Sequence, residues 1–452
     1  MTRGLARYVC REMALLGLCE LALSAVLIYG LLAISNSAPW ALEAIVAPGW
    51  SGANLAAAMA LSIVVTAATM GLYHPRICQD PQRLLIIATI AGMIASPVIL
   101  WVGGMPASLP HGGQLVWLAK VVGVWLAVVL ASRLLFNTVL QNSRLVRRVL
   151  VIGRDERATR VRDLLRRHHG KLFEPVMVEA ERAVLAVEAL RRDRIWGVVI
   201  AGDMLNAGAE KELLDGKLRG IKVFGDSGFH EQHLGRIDLN TIDSGWLLTS
   251  EGFAVGSSAD IVKRVFDVVS SCALFVATLP LVVVTAVLIK LDSPGPIFYR
   301  QSRTGLFGVP FTLLKFRSMT ADAEAGGQPR WAQKHDPRVT RVGRFIRQTR
   351  IDELPQLLNV LRGDMSMIGP RPERPHFVEE LSLAIPFYDE RAYVKPGITG
   401  WAQVNYPYGA SVEDAREKLA YDLYYVKNRS ILLDILIFCS TVRVVLFREG
   451  AR

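Results

Sequence analysis

The chain has 452 residues, 51% of them hydrophobic and 21% charged, with 52 Lys and Arg against 41 Asp and Glu for a formal net charge of +11. That balance excludes a disordered polybasic protein, and the length corresponds to about three domains at roughly 100 to 200 residues each. Cys10, Cys19, Cys78, Cys272 and Cys439 are scattered and lack CxxC spacing, which excludes a disulfide framework and a thiolate metal site.

Residues 44–75 and 84–119 contain no Asp, Glu, Lys or Arg. Because about 20 apolar residues cross a bilayer core, four transmembrane helices are expected near 13–34, 52–73, 84–104 and 114–135, forming a bundle over residues 1–145. The first is too long for a signal-peptide core and is expected to stay uncleaved. Arg3, Arg7 and Arg11 precede the first span, Arg76 and Arg83 join the second to the third, and Arg144, Arg147 and Arg148 follow the fourth. The other two loops carry no Lys or Arg, so both ends of the bundle are expected in the cytoplasm. Glu20 and Lys120 fall inside spans, but Lys120 lies near an outer end where it can snorkel, which makes a transport path the weaker reading.

From residue 146 to 226 short β-rich runs alternate with charged helical ones: VLVIG (149–153), a basic helix to His169, FEPVMV (173–178), a helix near 181–193, WGVVIAG (196–202) and IKVFG (221–225). That alternation implies a Rossmann-like parallel α/β domain. After the first strand comes Gly153-Arg154-Asp155-Glu156, which lacks the second and third glycines of GxGxxG and sets two carboxylates at a helix start. A structural or regulatory module is the better reading than a nucleotide site. Residues 227–258 read as a linker, with Gly245-Trp246-Leu247-Leu248 suggesting a hairpin.

The run 268–289 is charge-free, yet Lys263 and Arg264 precede it, Lys290, Arg300 and Arg303 follow it, and Pro280 stands near its middle. Positive flanks on both sides favour a re-entrant hairpin over 263–290, bent at Pro280, over a straight crossing. Beyond it, Asp292-Ser293-Pro294-Gly295-Pro296 turns into strand-like Ile297-Phe298-Tyr299, then Gly305-Leu306-Phe307-Gly308, then a strand ending in Lys315-Phe316-Arg317-Ser318-Met319. Two cations leaving a strand can point at phosphate or form a solvated edge.

Residues 330–350 carry seven basic side chains and one acid. Arg341, Arg344 and Arg347 recur at i, i+3, i+6, with Val342, Phe345 and Ile346 opposite, so a basic amphipathic helix suited to anionic headgroups is expected. Nucleic acid is the weaker alternative, because the chain is anchored in a bilayer. Arg350 leads into Ile351-Asp352-Glu353-Leu354-Pro355, where Leu354, Leu357, Leu358 and Leu361 mark a second helix with Asp352 expected at its N-cap. An acidic pair there can simply cap the helix. Amid so many cations, both carboxylates are expected to stay ionised, able to bind Mg²⁺ or attack phosphorus. Arg371 between Pro370 and Pro372 presents a guanidinium fork suited to phosphate. Lys395-Pro396-Gly397-Ile398-Thr399-Gly400-Trp401-Ala402-Gln403 is either a seat for a nucleobase or an ordinary buried turn.

The motifs KRVFD (263–267), SPGP (293–296), KFRSM (315–319), IDELPQLLNVLRGDMSMIGPRP (351–372) and KPGITGWAQVN (395–405) together resemble the bacterial sugar transferases, the monotopic phosphoglycosyl transferases. The N-terminal spans and α/β region resemble the large members, and GWLLTSEGF (245–253) resembles a branch associated with PEP-CTERM exopolysaccharide systems. The resemblance implies an α+β catalytic domain over 259–452 with a proline-broken re-entrant helix, at the bacterial inner membrane facing the cytoplasm. It implies transfer of hexose 1-phosphate from a UDP-hexose to undecaprenyl phosphate with release of UMP, beginning exopolysaccharide or O-antigen synthesis. Family frequency points first to UDP-glucose and next to UDP-galactose. Asp352 would be the nucleophile and Glu353 its partner, both at Mg²⁺; Lys315, Arg317, Arg347 and Arg371 would meet phosphate; Lys395, Pro396, Gly397, Trp401 and Gln403 would form the nucleotide loop. The partners implied are the two substrates, inner-membrane lipids and a possible second copy in a homodimer, with no nucleic acid. Glycosyl transfer releasing UDP, and a non-enzymatic membrane scaffold, are the rival readings.

Overall fold

Four apolar helices open the chain in the computed structural model: α1 (Arg11–Ser35), α2 (Gly52–Thr69), α3 (Pro81–Val102) and α4 (His111–Gln141). The structure describes residues 11–35, 52–70, 72–73, 81–102, 111–141, 147–153, 155–168, 173–179, 186–201, 207–242, 245, 250, 257–320, 338–407, 409 and 411–446. Most of GWLLTSEGF, Arg3, Arg7, Arg76, Arg144 and Arg330 lie outside them. Leu15–Ile34 and Val116–Leu135 are long and apolar enough to cross a membrane, whereas Gly52–Ala68 and Leu84–Leu100 are shorter apolar stretches. Ile28, Met59, Ile63 and Trp125 fill the space between helices, while Leu18, Val26, Met93 and Leu134 face outward. Apolar residues on both faces are what a helix in lipid requires.

Glu20, 1% exposed, is not alone in that bundle. Arg133 Nη1 stands 3.1 Å from its Oε1, Tyr73 donates to its Oε2 at 2.8 Å and Ser132 also donates to it. The Arg133 guanidinium lies 5.1 Å from the centre of the Tyr73 ring. A buried charge met in this way holds helices in register, and Lys120 by contrast is exposed.

The α/β region has a four-stranded parallel sheet of order β2-β1-β3-β4, from β1 (Arg147–Ile152), β2 (Phe173–Val178), β3 (Ile195–Ile200) and β4 (Lys222–Gly225). Helices α5 (Glu156–His168), α6 (Val187–Arg192) and α7 (Ala207–Leu218) connect them. The period of two along β1 sorts its side chains: Val149 and Val151 pack with Val161 and Leu165, Leu150 and Ile152 with Leu190 and Leu213. Helices therefore cover both faces of the sheet. Gly153 has a packing reason: a Cβ there would meet the Ala201 carbonyl oxygen at 2.1 Å, because the tips of β1 and β3 nearly touch.

The chain divides into two compact units, Met1–Leu234 and Gly235–Arg452. The stretch 227–258, expected as a linker with a hairpin, is helical over its first eight residues. Asp226–Phe229 and His230–Leu234 are helical in the first unit, and no strand occurs among the described residues of 227–258. In the second unit Arg236 forms a bidentate pair with Glu417 (2.6 and 3.0 Å), and the Ile237 amide donates to the Ala420 carbonyl at 2.9 Å. Residues 235–242 thus belong to the packing of the catalytic-motif unit.

The first long element of that unit is one uninterrupted helix, α8 (Ser257–Asp292), with Pro280 inside it. The hairpin expected over 263–290 is therefore one helix in secondary structure. Both of its halves dock on the same unit. In the first half Arg264 donates to the Val360 and Leu361 carbonyls (2.6 and 2.7 Å), Lys263 pairs with Asp434 (2.9 Å) and Ser271 donates to the Leu357 carbonyl (3.1 Å). In the second, Ile289 is buried with Phe316 and Ile346, and Val282, Ala286 and Leu354 pack against that cluster. Val276, between the anchored parts, and Val283, Val284 and Val287, interleaved with the docked residues of the second half, are exposed. The rest of the unit comprises the antiparallel hairpin β5 (Phe298–Thr304) and β6 (Pro310–Phe316), a short parallel pair β7 (Ser366–Ile368) and β8 (Gly397–Thr399), and the helices α9 (Arg341–Gln348), α10 (Gln356–Arg362), α11 (Pro375–Ala384), α12 (Trp401–Asn405), α13 (Val412–Asn428) and α14 (Ile431–Leu446).

Candidate active site

The acidic pair sits in a tight turn between two helices. Helix α9 starts at Thr340, whose hydroxyl accepts from the Gly343 amide at 2.9 Å, and ends at Thr349. Arg350 then takes a left-handed conformation (φ 59°, ψ 14°), and Ile351–Glu353 form one 3₁₀ turn. Asp352 is not the N-cap of the next helix, as the sequence suggested. Pro355 takes that place, because it has no N–H to leave unsatisfied at a helix start. The apolar side of α9 is also narrower than expected: Ile346 is buried and Val342 packs beside it, but Phe345 is 57% exposed.

Asp352 and Glu353 are both buried, and their surroundings differ. Glu353 Oε1 receives Arg371 Nη2 at 2.7 Å, Lys315 Nζ at 3.3 Å and Arg350 Nη1 at 3.6 Å. Burial pushes its pKa up, but Arg371, Lys315 and Arg350 outweigh that and hold Glu353 well below the ordinary carboxylate range. The Asp352 carboxylate has no hydrogen-bond or ion-pair partner among the described residues. Burial and the adjacent Glu353 push it up to about 6, against the three cations. Burial lowers the pKa of Lys315, with Glu353 acting the other way. At neutral pH the arrangement is a locked carboxylate beside an ionised, unengaged one.

Two buried devices aim these groups. Asn359 accepts the Leu314 amide at 3.0 Å and donates to the Thr312 carbonyl at 2.8 Å, fixing β6, and so Lys315, against α10. Arg391, tied to Asp422 (2.7 Å) and the Tyr388 hydroxyl (2.8 Å), donates to the Arg371 carbonyl at 3.0 Å, while Arg303 donates to the Pro372 carbonyl at 2.9 Å. Two arginines therefore hold the backbone of the turn that carries Arg371. Among the residues that support the pair but were not singled out as site candidates, Arg350 had a local signal, its place directly before Ile351-Asp352-Glu353, whereas Arg303, Arg391 and Asn359 act through partners distant in sequence.

Other candidates stand elsewhere. Arg347 is half-buried, one turn before Arg350, with no side-chain partner among the described residues. Arg317 is 5% exposed and donates to the carbonyls of Pro294 (2.6 Å), Ser293 (2.7 Å) and Ile289 (3.3 Å). The supposed nucleotide loop is largely internal scaffold. Trp401 donates to the Gly235 carbonyl at 2.7 Å and stacks on Tyr424, and Gln403 donates to the Ile398 carbonyl at 3.2 Å. The Pro396 carbonyl accepts the Ser366 amide at 2.9 Å, and Gly397 lies so close to Gly369 that a Cβ would meet the Gly369 nitrogen at 2.1 Å. A Cβ on Gly363, which ends α10, would stand 3.7 Å from both the Lys395 ammonium and Arg264. Lys395 therefore lies at the opposite end of α10 from the pair, about 10 Å along the axis.

Known proteins share this unit. The bacterial sugar transferase family profile matches residues 258–448. The UDP-N-acetylgalactosamine-undecaprenyl-phosphate N-acetylgalactosaminephosphotransferase of Aeromonas hydrophila is 45% identical over 235 residues, 51% of this chain and 54% of that protein. The UDP-glucose:undecaprenyl-phosphate glucose-1-phosphate transferase of Caulobacter vibrioides is 45% identical over 196 residues, 43% of this chain and 73% of that one. The undecaprenyl-phosphate glucose phosphotransferase of Komagataeibacter xylinus is 33% identical over 363 residues, 74% of this chain and 66% of that one.

Proposed function

The chain belongs to the bacterial sugar transferase family, and from that premise we propose that it transfers a sugar 1-phosphate from a UDP-sugar to undecaprenyl phosphate through a phosphosugar on Asp352. The observation that carries this reading is the unequal pair: Glu353 is held by three cations, while Asp352 keeps a carboxylate with no partner beside them. An Asp352 oxygen attacks the β-phosphorus of the UDP-sugar, the bond to the bridging oxygen breaks, and UMP leaves with the electron pair. An oxygen of undecaprenyl phosphate then attacks the same phosphorus, and the Asp352 carboxylate departs. Phosphoryl transfer depends chiefly on positioning and charge neutralisation, which Arg371, Lys315 and Arg350 supply.

Asp352 is the member of the pair that fits Mg²⁺, because Mg²⁺ takes one or two carboxylates together with substrate phosphates. Glu353 fits poorly, since its carboxylate is already surrounded by positive charge. Bound there, the ion would neutralise the diphosphate.

The docking of Ser271 on Leu357 and of the Ile289 cluster on Leu354 supports a bend at Pro280 that returns the helix to the side it entered. A straight helix would carry residue 289 about 27 Å from residue 271. The same reading places the catalytic unit on the cytoplasmic face of the inner membrane, where a soluble nucleotide sugar and a lipid phosphate meet. Among the relatives the sugar is glucose or N-acetylgalactosamine; UDP-glucose is the first donor to test here, then UDP-galactose.

The test is a panel of UDP-sugars with the membrane-extracted protein, Mg²⁺ and undecaprenyl phosphate, identifying the nucleotide released. UMP is expected, together with a phosphosugar on Asp352 when acceptor is withheld, and neither with Asp352→Ala. UDP as the sole product would mean glycosyl transfer instead.

A further inference from the structure

Beyond the Arg371 turn the second unit holds a cleft of about 260 Å³ that neither Asp352 nor Glu353 lines. At its mouth stand Phe307 and Tyr393, with ring centres 6.4 Å apart and side chains 71% and 53% exposed. Phe307 has φ 53° and ψ 30°, a left-handed conformation that costs a bulky residue and suits glycine. A large apolar ring kept in solvent on a strained backbone adds little to the fold, and such outliers cluster at ligand sites. Arg371, Glu373 and Asp389 line the same cleft.

We propose that this cleft is the nucleoside subsite of the sugar donor. The base lies against the Phe307–Tyr393 pair, the ribose hydroxyls donate to Glu373 or Asp389, and the diphosphate runs past Arg371 toward Asp352. This rests on the UDP-sugar reading above and replaces the loop around Trp401 as the place of the base. Each part of the ligand meets its own chemistry: aromatic faces stack on bases, carboxylates accept from ribose hydroxyls, and a guanidinium fork grips phosphate. The carboxylates retain capacity, since Glu373 stands 3.7 Å from Arg303 through one oxygen and Asp389 accepts from Ser382 at 2.6 Å through one oxygen. The spacing also suits an extended ligand. Thr304 lines the cleft and pairs with Pro310, five residues from Lys315 along β6, which is about 16 Å at the rise of a strand. Base and reacting phosphorus are held at opposite ends of one hairpin.

The test uses the full chain in lipid nanodiscs with UMP as the probe. Phe307→Gly removes the ring and suits the left-handed backbone, so it keeps the fold; Tyr393→Leu removes the second ring; Phe307→Tyr keeps a stacking face. Phe307→Gly and Tyr393→Leu are expected to weaken UMP binding and raise the KM for UDP-sugar about tenfold. The kcat and the KM for undecaprenyl phosphate should stay within about twofold, and Phe307→Tyr should behave as the unaltered protein. UMP binding unchanged in both ring-removing variants overturns the subsite. So does a higher KM for the lipid acceptor with unchanged UMP binding, which would place the aromatic pair at the bilayer. An unaltered protein that binds UMP through these rings yet releases none from any UDP-sugar sinks the transfer reading and leaves the subsite standing.

Discussion

Asp352 and Glu353 are adjacent in sequence and opposite in surroundings, and their difference sets the pH dependence. In the proposed mechanism Asp352 attacks only when ionised, so kcat/KM is expected to fall about tenfold per unit below pH 6 and to level off above it. Arg371→Gln removes a cation that lowers the Asp352 pKa and should move this limb to higher pH. Glu353→Gln removes the charge that raises it and should move the limb lower. Profiles of UMP release at low donor concentration measure both, and limbs that shift together contradict the assignment. Arg317→Met should act on stability: losing three hydrogen bonds to carbonyls costs about 3 kcal/mol, read as a lower thermal midpoint with the KM for UDP-sugar unchanged. The carboxylate pair was legible because its neighbours crowd it in sequence. Arg317 holds backbone carbonyls, and at Trp401 the contacts favour the buried turn over the nucleobase seat; neither was legible, because a motif gives a residue's chemistry whereas the partners, Ile289 and Gly235, come from distant segments.

Among the elements, the membrane helix α8 was visible as a charge-free run, and its flanking cations suggested that both ends stay on one side. What holds those ends was not visible, because Lys263 meets Asp434 and Arg264 meets Val360 and Leu361 across about 100 residues or more of intervening chain. Cysteines at Asp260 and at Lys290, in an otherwise cysteine-free chain, are expected to react with an impermeant thiol reagent from the same face of membrane vesicles. Pro280→Leu should reduce UMP release by straightening the helix between its docked halves. Labelling from opposite faces in the unaltered helix would mean a full crossing. The β7–β8 pair is a second case. KPGITG read as either a ligand loop or a buried turn; Gly397 is there because two backbones approach, and Gly397→Ala should leave no folded catalytic unit, seen as loss of the thermal transition.

At the scale of the molecule, the alternation of strands and helices disclosed a parallel α/β region, and helical runs appear in the bundle where charge was missing. The strand order and the edge of the catalytic unit were not legible, since both depend on which surfaces meet after the chain turns back. Residues 235–242 show the consequence: a fragment starting at Gly235 is expected to release UMP within about threefold of the full chain. One starting at Ala259 loses the Arg236–Glu417 pair and the Gly235 carbonyl under Trp401, and should be markedly less stable. Comparing the melting and UMP release of the two fragments checks this. The paired docking of α8 also bears on where the product goes. On the proposed re-entrant reading, an anchor fastened at both ends to one body offers the sugar no passage through the bilayer, so the phosphoglycosylated lipid would keep its head on the side of synthesis. Use of that product on the far side would then depend on a separate lipid-translocating activity.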